Sequence, residues 1–241
     1  MKYNFDELID RRNTASVKVD ALENLFGNAN LIPLWVADMD FLSPPCITEA
    51  LKKRVEHGVF GYTYATDEYY QSIIGWLAGR HRWDVQKDWI TFVPGVVKGF
   101  AFAIDEFTQE GDKIIIQPPV YHPFRLVSKG LDRQIVNNPL LLQDGKYYID
   151  FEGLEKLVSE NDCKMLILSN PHNPGGRMWS FDELTKLADI CYENHVLVIS
   201  DEIHADLALW DNRHISFASV SPKAAQNCIT LMAPSKTFNI A

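Results

Sequence analysis

Five short apolar runs, separated by segments with helical patterning, constrain the fold of this chain more than any other feature. They lie at residues 89–93, 113–117, 164–169, 196–200 and 228–232. Runs of this length that are apolar throughout are typical of strands buried on both faces. A weaker strand is expected at 133–137, and helices are expected at 96–108, 151–160 and 181–194. This alternation predicts an α/β fold with a mostly parallel sheet and helices on both faces.

The chain before the first of these runs has a different pattern. Asparagine and glycine breakers predict an irregular arm over residues 1–43, which would begin a small-domain segment. A helix is expected to start after Ser43, a candidate N-cap, and to stop at Gly58. A second helix is expected over residues 67–81. Residues 44–241 are expected to form one large domain.

The composition of the 241 residues argues against several classes of function. A net charge of −9 disfavours nucleic acid and anionic membranes as partners, because both require basic patches. The sequence has no secretory leader pattern and no run of 18 apolar residues, so we expect a cytoplasmic protein. The histidines lack metal-ligand spacing, so no metal is expected. The glycine-rich nucleotide motifs are also missing from the sequence, which weakens a nucleotide-binding interpretation.

Ligands of parallel α/β sheets bind at the carboxyl ends of the strands, so the residues after each run are the candidate site. The first run leads into Pro94-Gly95-Val96-Val97, a turn whose free helix amides can bind phosphate, although taken alone a plain strand-to-helix turn is the favoured interpretation. The second leads to Tyr121, which could stack on a flat ring, although taken alone a rigid loop whose aromatics fill the core is favoured. The third leads into Asn170–Gly176, a constrained loop that could hold one amide against a ligand oxygen.

The last two runs are followed by Asp201 and Lys236. A lysine amine condenses with the aldehyde of pyridoxal phosphate, and a carboxylate pairs with its pyridinium nitrogen. Singly, an aspartate at a strand end is often a helix cap and a lysine is usually solvated. Jointly, the five exits supply the groups that a phosphorylated, cationic aromatic aldehyde requires.

These motifs resemble, in family order, the fold-type I pyridoxal phosphate enzymes of the class I/II aminotransferase superfamily. The matching segments are Pro94 to Val97, Val120-Tyr121, Asn170 to Gly176, Asp201 to His204 and Ser235 to Asn239. Within the superfamily they are most similar to the cystathionine β-lyases, or C–S lyases, of the MalY and PatB type. The N-terminal signature of that branch resembles Pro33 to Phe41 and Phe60-Gly61-Tyr62.

The resemblance implies catalytic roles for three residues. Lys236 would bind the cofactor, pyridoxal 5′-phosphate, covalently and would later remove the Cα proton of the substrate. Asp201 would keep the pyridine nitrogen protonated, and Tyr121 would stack on the ring.

The resemblance also implies a set of binding residues. Asn173 would donate to the phenolic oxygen of the ring. The backbone amides of Val96 and Val97, together with Ser235, would bind the phosphate. His204 belongs to the same cofactor-binding set. Tyr64 would reach the phosphate held by the neighbouring subunit, which implies a homodimer.

The implied reaction is the α,β-elimination of a small sulfur amino acid to a thiol, pyruvate and ammonia. One alternative is an aminotransferase on the same scaffold, and a second is a non-catalytic regulatory or interaction protein. Members of this family continue past the lysine with a small C-terminal domain and with two arginines that bind the phosphate and the substrate carboxylate. We therefore expect a fragment in which the pyridoxal phosphate-binding large domain, residues 44–241, is incomplete and the small C-terminal domain is missing.

Overall fold

A computed structural model of the chain describes residues 3–241. The described residues divide into two compact units. One holds the described residues up to Tyr64 together with Pro234–Ala241, and the other holds Ala65–Ala233. The expected division of the chain at residue 43 stays a prediction.

Helices account for much of the described chain. The α-helices are α1 (Val17–Asp20), α2 (Leu22–Phe26), α3 (Pro45–His57), α4 (Asp67–Trp76), α5 (Val96–Phe107), α6 (Pro123–Gly130), α7 (Phe151–Glu160), α8 (Phe181–Glu193), α9 (Pro222–Gln226) and α10 (Pro234–Phe238). A π-helical turn, Leu77–His81, continues α4. Within residues 3–241, no helix is long and apolar enough to cross a membrane.

The unit formed by Ala65–Ala233 is built around a five-stranded parallel sheet. Its strands and those of a separate hairpin are β1 (Lys113–Ile116), β2 (Gln134–Asn137), β3 (Leu141–Gln143), β4 (Lys146–Tyr148), β5 (Cys163–Ser169), β6 (Leu197–Asp201) and β7 (Cys228–Leu231). The sheet order is β2-β1-β5-β6-β7, and β3 and β4 pair antiparallel. Four of the five apolar runs and the weaker run are thus confirmed as strands.

Both faces of the sheet are buried, as predicted from the continuous apolar runs. Ile115, Leu166 and Val198 belong to a core that also contains residues of α7, α8 and α9. Their neighbours Ile114 and Met165 point the other way, into a core shared with α5 and α6. Because successive strand residues alternate between faces, an apolar run fills both cores at once. The predicted α/β fold with helices on both faces is confirmed.

The predicted strand at 89–93 is wrong. Trp89 ends a 3₁₀ turn, and Ile90 is extended at φ −97° and ψ 119°, but no strand among the described residues pairs with this segment. Phe92 has 75% of its surface exposed. The run has the composition of a strand, but a strand also needs a hydrogen-bonding neighbour.

Two other expectations need correction, and several elements were not predicted, namely α6, α9, α10 and the β3–β4 hairpin. The arm over 1–43 contains the short helices α1 and α2. Pro44, not Ser43, is the N-cap residue of α3, and no side chain caps that helix. The stop at Gly58 is confirmed, with φ 74° in the left-handed region. The missed helix α6 supplies the crossover that parallel pairing of β1 and β2 requires.

The strand order changes direction between β1 and β5. From β1 the chain passes outward to β2, and then it returns to the other side of β1 to form β5, β6 and β7 in turn. In doubly wound sheets the ligand crevice lies outside the carboxyl ends of the strands at such a switch point. The topology therefore indicates the ends of β1 and β5 as the place to look for a site.

Helix α5 packs directly against the last strand of the sheet. A Cβ atom at Gly99 would lie 3.0 Å from Leu231 Cδ2 and 3.1 Å from Val93 Cγ2. We expect Gly99→Val to lower the free energy of unfolding by about 1–3 kcal/mol, because the branched side chain overpacks this contact. Urea unfolding measures the change. Gly75→Val in α4 is the matched control, since nothing lies within 4 Å of a Cβ there; an equal loss in both variants would contradict the packing argument.

Candidate active site

Asp201 is the last residue of β6 and lies at the carboxyl edge of the sheet. It is opposite Ser169, the last residue of β5, in the parallel register. Its side chain is buried, and one oxygen accepts a hydrogen bond from the Ile203 backbone N–H at 3.2 Å. The sheet therefore delivers one carboxyl group to this edge, at the end of an interior strand.

Tyr121 and Asn173 join the two strand exits on either side of the switch point. The Tyr121 backbone N–H donates to the Asn173 carbonyl at 3.0 Å. The Asn173 backbone N–H in turn donates to Ser169 Oγ at 2.9 Å. The loops after β1 and β5 are therefore held together at the point where the topology indicates a ligand crevice.

The first turn of α5 lies at the same edge of the sheet. Gly95, at φ 107°, precedes Val96, the first residue of the helix. Gly99 contacts Leu231, the last residue of β7, which brings this end of α5 to the carboxyl side of the sheet. The first backbone amides of a helix have no acceptor within it, so those of Val96 and Val97 can bind an anion.

The electrostatics of this edge are dominated by Asp201. Burial is the main reason that the pKa of its carboxyl group is raised from 3.8 to about 7; the Ile203 N–H acts to lower this pKa, and the charge of Glu202 acts to raise it. Burial also raises the pKa of the Tyr121 hydroxyl, and so does the charge of Asp201. A buried carboxyl group with so little hydrogen bonding favours a cationic partner when it ionises.

Lys236 lies in the other compact unit, on α10. Its Nζ donates to the Ala37 carbonyl at 2.7 Å. The side chain of Asn239 pairs with Met39, accepting from its N–H at 3.1 Å and donating to its carbonyl at 2.9 Å. The lysine-bearing segment is thereby attached to the Ala37–Met39 backbone.

The nine predicted site residues are thus divided between the two units. The unit of Ala65–Ala233 brings together, at one edge of its sheet, Val96, Val97, Tyr121, Asn173, Asp201 and His204. The other unit contains Tyr64, Ser235 and Lys236. Tyr64 is 80% exposed. The roles assigned to these residues stay predictions.

Two buried ionisable residues beneath the edge were not predicted from the sequence. Glu202 and His214 are almost fully buried, and Glu202 Oε2 lies 2.7 Å from His214 Nε2. The sequence contains a signal for Glu202, because burying two consecutive carboxylates directly after a strand costs free energy unless each has a hydrogen-bonding or charged partner. Nothing in the sequence pattern connects His214 to it.

Comparison with known proteins gives this arrangement a context. The family model described as aminotransferase class I and II matches residues 29–241. Cystathionine beta-lyase PatB of Bacillus subtilis (strain 168) is 49% identical over 238 residues, which are 99% of this chain and 62% of PatB. The chain thus spans about three-fifths of the length of that relative.

Solved structures give the same result. Cystalysin from Treponema denticola, which contains a pyridoxal 5′-phosphate cofactor, has a TM-score of 0.94 and 43% identity, covering all of this chain and 61% of cystalysin. The PLP-bound C–S lyase from Staphylococcus hominis has a TM-score of 0.92 and 37% identity, with 100% and 61% coverage. The fold of this chain is therefore that of the corresponding part of these pyridoxal phosphate-containing proteins.

The raised pKa of Asp201 predicts a pH-dependent stability. Between about pH 4 and pH 7 the folded chain binds a proton that the unfolded chain has lost, so the stability of the cofactor-free protein falls as the pH rises through this window. Asp201→Asn removes the ionisation. We expect the variant to be more stable than the unaltered chain at pH 8 by a few kcal/mol and nearly equal to it at pH 4. Urea unfolding across this range measures the difference; a difference independent of pH would contradict the assignment.

Proposed function

Because this chain belongs to the aminotransferase class I and II family, we propose that it binds pyridoxal 5′-phosphate and carries catalytic residues of a C–S β-lyase. The observation that carries the proposal is the buried carboxyl group of Asp201 at the carboxyl edge of the sheet, in a chain that is 49% identical to a cystathionine β-lyase. Amino transfer is the alternative activity within this family, and a keto-acid requirement separates the two.

The residues at the sheet edge fit this cofactor. Asp201 has a buried carboxyl group that accepts from the Ile203 N–H, and a pyridinium nitrogen would compensate the rest of its charge. The first turn of α5 offers free amides to a phosphate. Across residues 3–241 the side-chain amide of Asn173 has no hydrogen-bonding partner, so it can donate to a ring oxygen.

When bound, pyridoxal phosphate supplies an electron sink for the electron pair left at the substrate Cα. The chain's own residues would move the protons. Asp201 would hold the proton at the ring nitrogen, since its carboxylate is stabilised by that positive charge. Lys236 would take the Cα proton on Nζ. To do so, the Lys236 side chain must give up its hydrogen bond to the Ala37 carbonyl, and its amine must be unprotonated.

The proposed reaction breaks the Cα–H bond and the Cβ–S bond of a thioether amino acid. The sulfur leaves as a thiol after gaining one proton, and one water molecule is consumed as the remaining fragment becomes pyruvate and ammonia. No electrons are gained or lost overall. The substrate class is a small sulfur amino acid, on the strength of the lyase relatives.

Two further parts of the proposal concern assembly and location. We propose a homodimer in which the exposed Tyr64 reaches the phosphate site of the neighbouring subunit. Sedimentation velocity would test the dimer, and a monomer at all concentrations would contradict it.

We also propose that the protein is cytoplasmic, for which the support is the sequence pattern.

The assignment of Lys236 is tested by borohydride reduction of the purified chain with pyridoxal phosphate, followed by peptide mass mapping. We expect one stable adduct at Lys236 and its loss in Lys236→Ala, with the fold retained by circular dichroism. Lys156→Ala is the matched control, since Lys156 is an exposed lysine on α7. Labelling spread over surface lysines in the unaltered chain would reject the site.

The activity is tested by incubating the loaded chain with cystathionine and measuring thiol and pyruvate. Elimination predicts both products in equal amounts without an added keto acid. Conversion of an added keto acid to its amino acid, without release of thiol, would instead support amino transfer. A chain that binds the cofactor at Lys236 and supports neither reaction would favour a non-catalytic role.

A further inference from the structure

Glu202 is a buried carboxylate that the proposed mechanism does not use. Its residue surface is 1% exposed. Oε1 accepts from Ser200 Oγ at 2.8 Å, from the Phe217 backbone N–H at 2.8 Å and, at 3.4 Å, from Asn170 Nδ2. Oε2 lies 2.7 Å from His214 Nε2. Four donors converge on one carboxylate, which indicates that it is held in a single orientation as an anion.

His214 contacts the second oxygen of the Glu202 carboxylate. A carboxylate can only accept, so Nε2 of the imidazole carries the hydrogen that it donates to Glu202. Within the described residues, Nδ1 is buried without a hydrogen-bonding partner. The charge of Glu202 is felt at the sheet edge, since it acts to raise the pKa of the Asp201 carboxyl group.

The same residue connects the ends of three strands. Its backbone N–H donates to the Leu231 carbonyl at the end of β7, at 2.8 Å. Asn170, which donates to its carboxylate, follows β5 and also donates its backbone N–H to the Asp201 carbonyl at 2.9 Å. The Glu202 side chain therefore contacts the exit of β5, and its backbone is fixed to the end of β7.

Two ionisable groups are electrostatically coupled to the Asp201 carboxyl group. The charge of Glu202, which follows it in the chain, acts to raise the pKa of Asp201, and the charge of Asp201 acts to raise the pKa of Tyr121 in the loop after β1. At neutral pH the tyrosine is uncharged, because burial raises the pKa of its hydroxyl above the usual value of 10.0. Glu202 is then the neighbouring charge that Asp201 experiences.

We propose that Glu202 is a positioning residue for Asp201, which fixes the ends of β5 and β6 and adds a second buried negative charge that strengthens the attraction of this edge for a cationic ring. The inference rests on the proposed function in one respect, namely that the cationic ring is the pyridinium of pyridoxal phosphate. Its electrostatic part concerns only residues of this chain and can be measured without the cofactor.

The first test is a carbon-13 NMR titration of the Asp201 carboxyl group in the cofactor-free chain. Glu202→Gln keeps the size of the side chain and removes its charge. We expect the pKa of Asp201 to fall by about one unit, which is a tenfold lower proton affinity. Glu183→Gln is the matched control, because Glu183 also accepts a backbone hydrogen bond but lies in the capping box of α8. If the pKa of Asp201 is the same in Glu202→Gln, in Glu183→Gln and in the unaltered chain, the proposal is overturned.

The second test measures pyridoxal phosphate dissociation by absorbance. We expect Glu202→Gln to bind the cofactor about tenfold more weakly than the unaltered chain, in proportion to the change at Asp201. If the unaltered chain does not bind the cofactor at all, the proposed function fails, while the NMR titration still decides the role of Glu202. Unchanged affinity in a folded Glu202→Gln variant would overturn the proposal.

Ser200→Ala keeps the test decisive if Glu202→Gln does not fold. It removes one of the donors to Glu202 and leaves the charge in place, so we expect about fivefold weaker cofactor binding. Ser128→Ala is its control, since Ser128 is also fully buried but donates to the Phe124 carbonyl in α6. Equal affinity in the two serine variants would show that Glu202 does not position the site.

Discussion

The parallel pairing of β5 with β6 is the interaction on which the candidate site depends. Both strands are almost entirely buried, and their register places Ser169 opposite Asp201 at the carboxyl ends. Ser169 Oγ accepts from the Asn173 N–H, and the Asp201 carbonyl accepts from the Asn170 N–H. Since a shift of register by one residue would reverse every side chain, this pairing fixes both the two cores and the site.

Two consecutive carboxyl groups at the end of β6 have very different surroundings. Glu202 has four donors and is an ordered anion, whereas Asp201 has one backbone donor at 3.2 Å and a pKa raised to about 7 by burial. The well-compensated group is suited to hold the backbone in place. The poorly compensated one is suited to a ligand cation, because such a partner recovers the cost of burying its charge. The difference lies in the donors, not in the residue types.

The lysine-bearing segment is held by hydrogen bonds to the backbone of a segment far away in the sequence. Lys236 donates to Ala37, and the amide of Asn239 makes a two-way pair with Met39. These contacts join residues about 200 positions apart, and they place the candidate nucleophile beside the backbone of an N-terminal motif. The N-terminal and lysine motifs therefore lie together in one compact unit.

The sequence by itself determined most of the sheet and the identity of the candidate site residues. A continuous apolar run is a local property, so β1, β5, β6 and β7 could be recognised without knowing their neighbours. The run at 89–93 failed because strand pairing is non-local. Only the tertiary structure decided that Asp201 is buried with a raised pKa and that His214 forms a hydrogen bond with Glu202. The residues that bury these groups and donate to them come from distant segments, so no periodicity in the sequence predicts these contacts.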